Sequence, residues 1–118
     1  MDASDNERLT SPAWTFLTNH AHVLLCIAAD PEIRLRDVSE RVGITERAVQ
    51  RIVSDLEEAG YLLRAREGRR NHYTVRGDLP LRHPVEQHHN VSVLLALATP
   101  PLEAQPARAV NQVGRPTR

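Results

Sequence analysis

Residues 35 to 60, LRDVSERVGITERAVQRIVSDLEEAG, constrain this chain more than any other stretch, because they spell two short amphipathic helices with only three residues between them. Val38 and Val42 lie four apart and share a helix face, after which Gly43 supplies the left-handed residue that closes a helix. Ile44 is the apolar residue that a helix-ending turn folds back. Thr45 is a strong N-cap, its hydroxyl able to accept from an amide two or three residues on, so the second helix starts at once. Ala48 occupies the position where a reciprocal capping box would need Glu or Gln, so the cap is one-sided. With Val49 at zero and a turn of about 100° per residue, Ala48, Ile52, Val53, Leu56 and Ala59 fall in one stripe about 140° wide, as a core-facing helix requires.

The opposite face of the second helix carries Arg47, Gln50, Arg51 and Ser54, with Glu57 and Glu58 only in the last turn. Charge is therefore sorted along the axis, basic and amide groups first and carboxylates last, and Asp55 is placed to pair with Arg51 one turn earlier. A helix that enters the major groove of DNA by its N-terminal end needs this order. Arg reads guanine and Gln reads adenine through paired hydrogen bonds, whereas carboxylates near phosphate repel. A solvated surface helix also carries scattered charge, so the helix alone does not decide.

The next segment does. Gly60-Tyr61 repeats the Gly-plus-apolar helix stop, and the chain then alternates, with Tyr61, Leu63 and Ala65 on one face and Leu62, Arg64 and Arg66 on the other. Glu67-Gly68-Arg69-Arg70 is a Gly-containing turn of hairpin length, and Asn71 to Arg76 resumes the alternation with Tyr73 and Val75 on the apolar face. Residues 61 to 76 hold five Arg against the single acid Glu67, in a chain whose formal net charge is zero. A tip bearing Arg69 and Arg70 is suited to phosphates or to a narrow minor groove, where negative potential is enhanced.

Residues 12 to 98 resemble the winged helix-turn-helix module of MarR- and ArsR-type transcriptional regulators. The resemblance rests on Leu35-Arg-Asp-Val38-Ser39-Glu-Arg-Val42-Gly43-Ile44-Thr45, on the following Val49, Ile52, Val53, Leu56, Gly60 and Tyr61, and on the wing Glu67-Gly68-Arg69-Arg70-Asn71-His72-Tyr73. It implies a mainly α fold with a small β-hairpin wing, in a cytoplasmic homodimer that represses or activates transcription at near-palindromic operators. The chain departs from the pattern in two ways: it lacks the longer flanking helices of most MarR-like proteins and the paired-cysteine metal motif of metal-sensing ArsR-like ones.

Length and composition agree. A core of about 80 ordered residues is marginal alone, and dimerisation would relieve that. The single cysteine, Cys26, excludes an internal disulfide framework and suits a reducing compartment. The longest fully apolar run, Val23 to Ala29, is far below the roughly 20 residues of a membrane span, and no charged-then-apolar signal opens the chain. These features point to a cytoplasmic protein without membrane association. All fifteen basic residues are Arg, a bias that extends into the termini and reads as coding composition rather than function.

The remaining organisation follows from helix starts and stops. Residues 1–10 read as a disordered N-terminal segment, 11–98 as the winged helix-turn-helix domain, and 99–118, rich in proline and without sustained period, as a disordered tail. Ser11-Pro12 predicts the start of a first helix that runs to about Ala29, where Asp30-Pro31 stops it. Leu17, Ala21, Leu24 and Ala28 follow helical spacing, with Trp14, Phe16 and Leu25 widening the apolar surface. Ile33 to Leu35 are expected to add a short third strand to the wing. His83-Pro84 predicts a final helix to about Ala98, apolar on nearly every side through Val91, Val93, Leu94, Leu95 and Leu97. A helix apolar all round is buried on more than one side, so the first and last helices are expected to build a two-fold dimer interface.

Catalysis is not expected. His20, His22, His72, His83, His88, His89 and Cys26 are the only candidates for acid-base or metal work, and no Gly-rich phosphate loop, nucleophile elbow or paired-carboxylate arrangement appears. His83, Glu86 and His88 or His89 lie at near-helical spacing, but they read better as a helix start and a polar half-turn than as metal ligands. Cys26, inside an apolar helical run, reads as a small inert hydrophobe. No cofactor is expected and no particular small-molecule effector is specified. Two functional readings follow. In the first, Arg47, Gln50 and Arg51 read bases of double-stranded DNA, Thr45 and Ser54 steady the helix on the backbone, and Arg69 and Arg70 hold phosphate or the minor groove. In the second, the winged helix is a protein-interaction module that never touches nucleic acid.

Overall fold

The computed structural model describes residues 12–98; the N-terminal segment and the tail expected to be disordered lie outside them. The order of elements is α1 (Asn19–Ala29), α2 (Leu35–Val42), α3 (Glu46–Glu58), β1 (Leu62–Glu67), β2 (Arg70–Val75) and a short α4 (Ser92–Leu95) that passes into a single 3-10 turn (Ala96–Ala98).

Threonine sets the starts of α1 and α3. Thr18 caps α1, its hydroxyl accepting from the Ala21 amide at 3.2 Å, so the helix does not begin at Ser11-Pro12 as expected. Pro12 to Leu17 are not helical. There the Thr15 hydroxyl donates to the Leu17 carbonyl in a local turn that competes with helix, and Trp14 and Phe16 stand exposed, packed edge to face on one another. Asp30 closes α1 as expected, its amide donating to the Cys26 and Ile27 carbonyls. The buried face of α1 is Val23, Leu24 and Ile27 rather than the stripe beginning at Leu17 and Ala21.

The predicted turn is present. Gly43 has φ 86°, its amide and that of Ile44 both reach the Ser39 carbonyl, and Thr45 then caps α3 by accepting from the Ala48 amide at 3.0 Å. The other end of α3 closes in the same way. Gly60 has φ 89°, its amide donates to the Glu57 carbonyl and the Tyr61 amide to that of Leu56, which is the hydrogen-bond pattern of a Schellman motif. Between these two glycine turns α3 presents Val49, Ile52 and Val53 to the core, where they meet Val23, Leu24 and Ile27 of α1 and Val38 of α2.

The hairpin pairs Leu62 with Val75, Arg64 with Tyr73 and Glu67 with Arg70, leaving a two-residue turn, Gly68-Arg69, with Gly68 at φ 64°. Glycine in the first central position is what a type II′ hairpin turn needs. Residues directly opposite share a face, so the inward face carries Leu62, Tyr73 and Val75. This reverses the expected alternation. Leu62 is 1% exposed and Leu63 is 52% exposed, because Tyr61 belongs to the helix-ending turn and is buried there, its hydroxyl donating to the Pro80 carbonyl. Among the described residues the sheet has two strands only. The third strand expected at Ile33 to Leu35 is absent because Leu35 opens α2; one bond remains in its place, from the Tyr73 amide to the Pro31 carbonyl at 2.9 Å.

The long final helix expected from His83 is also absent. The chain doubles back instead, with Pro80 bridged to Asn90, the Leu81 amide donating to the His89 carbonyl and the Val91 amide to that of Leu79. These strand-like bonds take up the backbone at both ends of the segment, and the His83 ring accepts from the Val85 amide, closing a local turn where the helix was to start. Val91 anchors the return in the core at 3% exposure, and only Ser92 to Leu95 continue as α-helix. Among the described residues no helix is long and apolar enough to cross a membrane.

The register yields a direct test. Leu62→Ala is expected to cost about 2–5 kcal/mol in urea denaturation, whereas Leu63→Ala should stay within about 0.5 kcal/mol. Equal costs would mean that the opposite face of the hairpin is buried.

Candidate nucleic-acid interface

Burial of Val49, Ile52 and Val53 turns the other side of α3 outward, and Thr45, Arg47, Gln50, Arg51 and Ser54 are all exposed. Arg47 and Arg51 make no ion pair among the described residues. The expected Arg51–Asp55 pair is not formed: Asp55 lies 2.9 Å from Nε2 of His20, on α1. Glu57 is held by Arg64 of β1, with Nε at 3.0 Å from one carboxylate oxygen and Nη2 at 3.2 Å from the other. That two-point geometry is the fork by which Arg grips a carboxylate. Asp55 and Glu57 are thus engaged by neighbouring elements, whereas Arg47 and Arg51 are left open.

The wing arginines divide. Arg64 is committed to Glu57, and Arg76 to Asp78 at 3.0 Å. The Asp78 carboxyl is held below its ordinary range, chiefly by the hydrogen bond from Arg76, and the Arg76 guanidinium is correspondingly raised. Arg69 occupies the second position of the turn and is exposed at the tip. Arg70 starts β2 and donates from Nη1 to the Glu32 carbonyl at 3.1 Å, so it lies back toward the α1–α2 loop rather than projecting beside Arg69. Arg66, which the sequence reading did not single out, turns its Nε toward the Gly68 carbonyl, 3.4 Å away, and so brings its charge to the tip. The signal for it was present in the sequence: an Arg two residues before a hairpin glycine.

Behind α3 lies a groove of about 720 Å³ lined by Leu24, Leu56, Tyr61, Leu81, Val91 and Leu94, with the His20–Asp55 pair at its edge. Its α3 residues are Asp55, Leu56, Glu58 and Ala59, so it opens away from the Arg47–Arg51 face. His83, His88 and His89 are exposed, and the rings of His88 and His89 meet tilted at 47° with centroids 4.4 Å apart.

The two helices across a Gly-Ile-Thr turn, with a hairpin following the second, make this a winged helix-turn-helix, the fold that the resemblance to MarR- and ArsR-type regulators implies. Residues 18–62 match the family model described as winged helix-turn-helix DNA-binding, which spans α1 to the start of the wing. FabT of Streptococcus pneumoniae, solved in complex with DNA, is 15% identical and superposes with a TM-score of 0.50 over 96% of this chain and 73% of its own. A MarR family protein of Mycobacterium tuberculosis, in complex with salicylic acid, is 20% identical with a TM-score of 0.48, covering 85% of this chain and 68% of its own. PcaV of Streptomyces coelicolor, in complex with its natural ligand, is 24% identical with a TM-score of 0.44, covering 88% and 74%. Comparison with curated proteins finds no significant match. The likeness to FabT establishes the shared fold.

Cys26 lies on α1, half-buried beside this framework. Burial pushes its thiol above the ordinary value, and the charge of Arg41 offsets part of that rise. A raised thiol holds less thiolate at pH 8, so iodoacetamide should modify native Cys26 more slowly than an unhindered peptide thiol, with the difference vanishing in denaturant. Equal rates in the native state would show the thiol to be open.

Proposed function

We propose that the chain is a sequence-specific double-stranded-DNA-binding transcriptional regulator, cytoplasmic and homodimeric, acting by binding rather than catalysis. The observation that carries this reading is the division of charge on α3: Arg47, Gln50 and Arg51 are exposed and, among the described residues, unpaired, while Asp55 and Glu57 beyond them are taken up by His20 and Arg64. A helix so arranged presents donors and a paired amide to base edges at its N-terminal end and offers phosphate no bare carboxylate at Asp55 or Glu57. Arg47 and Arg51 suit guanine and Gln50 suits adenine. Ser54 and the free hydroxyl proton of Thr45 are placed to donate to the backbone, since the Thr45 oxygen is already used as a cap. Arg69, with Arg66 at the same tip, meets phosphate or the minor groove, and Arg70 joins them only by leaving the Glu32 carbonyl.

The dimer surface in this reading combines the residues before α1 with α4. Phe16 and Leu97, the latter in the 3-10 turn after α4, are 91% and 62% exposed, and Trp14 and Val93 are exposed too, which is apolar surface that a second copy would cover. The domain is then residues 11–98, with the segments on either side outside the DNA-binding unit.

Titration of a duplex recovered by selection from a random pool tests the reading. Binding should weaken linearly in log-log form as salt rises, and light scattering should give a dimer. Arg47→Ala and Arg51→Ala should each cost about 1–3 kcal/mol and relax preference at particular bases, whereas Arg69→Ala should weaken all sequences alike and lower the salt slope by about 1. Absence of duplex affinity at low salt would favour the interaction-module reading, and a chain that stays monomeric on DNA would remove the dimer.

A further inference from the structure

The wing and the loop before α2 bring together three ligand-type side chains that neither the core nor the α3 face uses. Glu67 ends β1, His72 lies in β2 opposite Ala65, and Glu32 belongs to the α1–α2 loop. In this register Glu67 and His72 share the face of the hairpin away from Leu62, Tyr73 and Val75, and Glu32 reaches that face from outside. One imidazole nitrogen and one oxygen of each carboxylate lie within 4.8 Å of one another, with Nδ1 of His72 at 3.3 Å from Glu32.

The loop is fixed on the strand by bonds independent of these three side chains. On one side of His72 the Tyr73 amide donates to the Pro31 carbonyl, and on the other Arg70 donates to the Glu32 carbonyl. Arg70, paired with Glu67 across the hairpin, gives this N–H to a backbone carbonyl and makes no ion pair with either carboxylate among the described residues. Among the described residues Glu67 has no arginine partner, and the two carboxylates converge on one imidazole. A neutral imidazole offers two carboxylates a single donor, whereas a divalent cation balances both charges and accepts a lone pair from each of the three groups. Ligand atoms around an ion of zinc's size sit about 2.0–2.2 Å from it and thus roughly 3–4 Å apart, a short rotamer adjustment for exposed side chains. One nitrogen and two oxygens suit the borderline first-row ions and leave positions for water.

We propose that Glu32, Glu67 and His72 form a binding site for a divalent first-row transition-metal ion, represented by Zn²⁺, which ties the wing to the α1–α2 loop. Its regulatory consequence rests on the DNA-binding reading. Glu67 adjoins the turn that carries Arg69, so neutralising the two carboxylates removes repulsion from phosphate and tightens the wing on the duplex.

The test uses the untagged full chain, stripped with chelator, in calorimetric titration with Zn²⁺. The expected result is one ion per chain, weakened at least ~10-fold by His72→Ala and by the near-isosteric Glu67→Gln, and unchanged by the double variant His88→Ala and His89→Ala. Both single variants lie on the solvated face of the hairpin, and circular dichroism checks that each is folded. No stoichiometric binding by the parent chain, or variants that titrate like it, would overturn the site. In a parallel arm, Zn²⁺ should tighten duplex binding several-fold for the parent chain and leave His72→Ala unaffected. Failure of every form to bind duplex would count against the DNA-binding reading alone, since the calorimetric result judges the site without it.

Discussion

The packing of one helical stripe governs the rest of the molecule. Val49, Ile52 and Val53 of α3 are buried against Val23 and Ile27 of α1 and Val38 of α2, and because successive residues turn by about 100°, burying those three fixes the direction of every other side chain on the helix. Arg47, Gln50 and Arg51 face solvent as a consequence of that burial. The two left-handed glycines complete the constraint: Gly43 lets α3 start within three residues of α2, and Gly60 ends it so that β1 follows without a linker. Candidate reading face and wing therefore follow from sequence between Leu35 and Val75, once α1 supplies the other side of the core.

Exposed ion pairs give this arrangement its electrical character rather than its stability. His20–Asp55 has both side chains about half exposed, and such pairs contribute only about 0–1 kcal/mol. Their effect is to determine which charges remain available. With Asp55 facing His20, Glu57 gripped by Arg64 and Asp78 by Arg76, a chain of zero net charge leaves Arg47, Arg51 and Arg69 exposed and without an ion pair among the described residues. Counting charge in sequence windows gives a different picture, since it credits the wing with Arg64 and Arg76.

The parts legible in the sequence were those whose cause is local. Gly43-Ile44-Thr45 and Gly60-Tyr61 carry their geometry in residue type, and Gly68 does the same for the hairpin turn. The errors arose where two local signals competed. Ser11-Pro12 and Thr18 are both helix starts, and the hydroxyl of Thr15 together with the cap at Thr18 placed the boundary. Leu62 and Leu63 are adjacent and equally apolar, so the buried one depended on whether Tyr61 belongs to the strand or to the turn. His83-Pro84 is a plausible helix start that lost to pairing between residues distant in sequence, Pro80 with Asn90 and Leu79 with Val91. The grouping of Glu32 with Glu67 and His72 crosses 35 to 40 positions of chain and has no local signature.

By itself the amino-acid sequence determined the helix pair, its turn, the hairpin after it and the identity of the α3 residues facing away from the core, because caps, left-handed glycines and hydrophobic period act over a few residues. Tertiary structure decided the register of the wing, the partners of Asp55 and Glu57, the short form of the last helix and the meeting of the α1–α2 loop with the wing. Each of these is a choice among partners that are near in space and far in sequence, and only the packed core settles which of them come within reach.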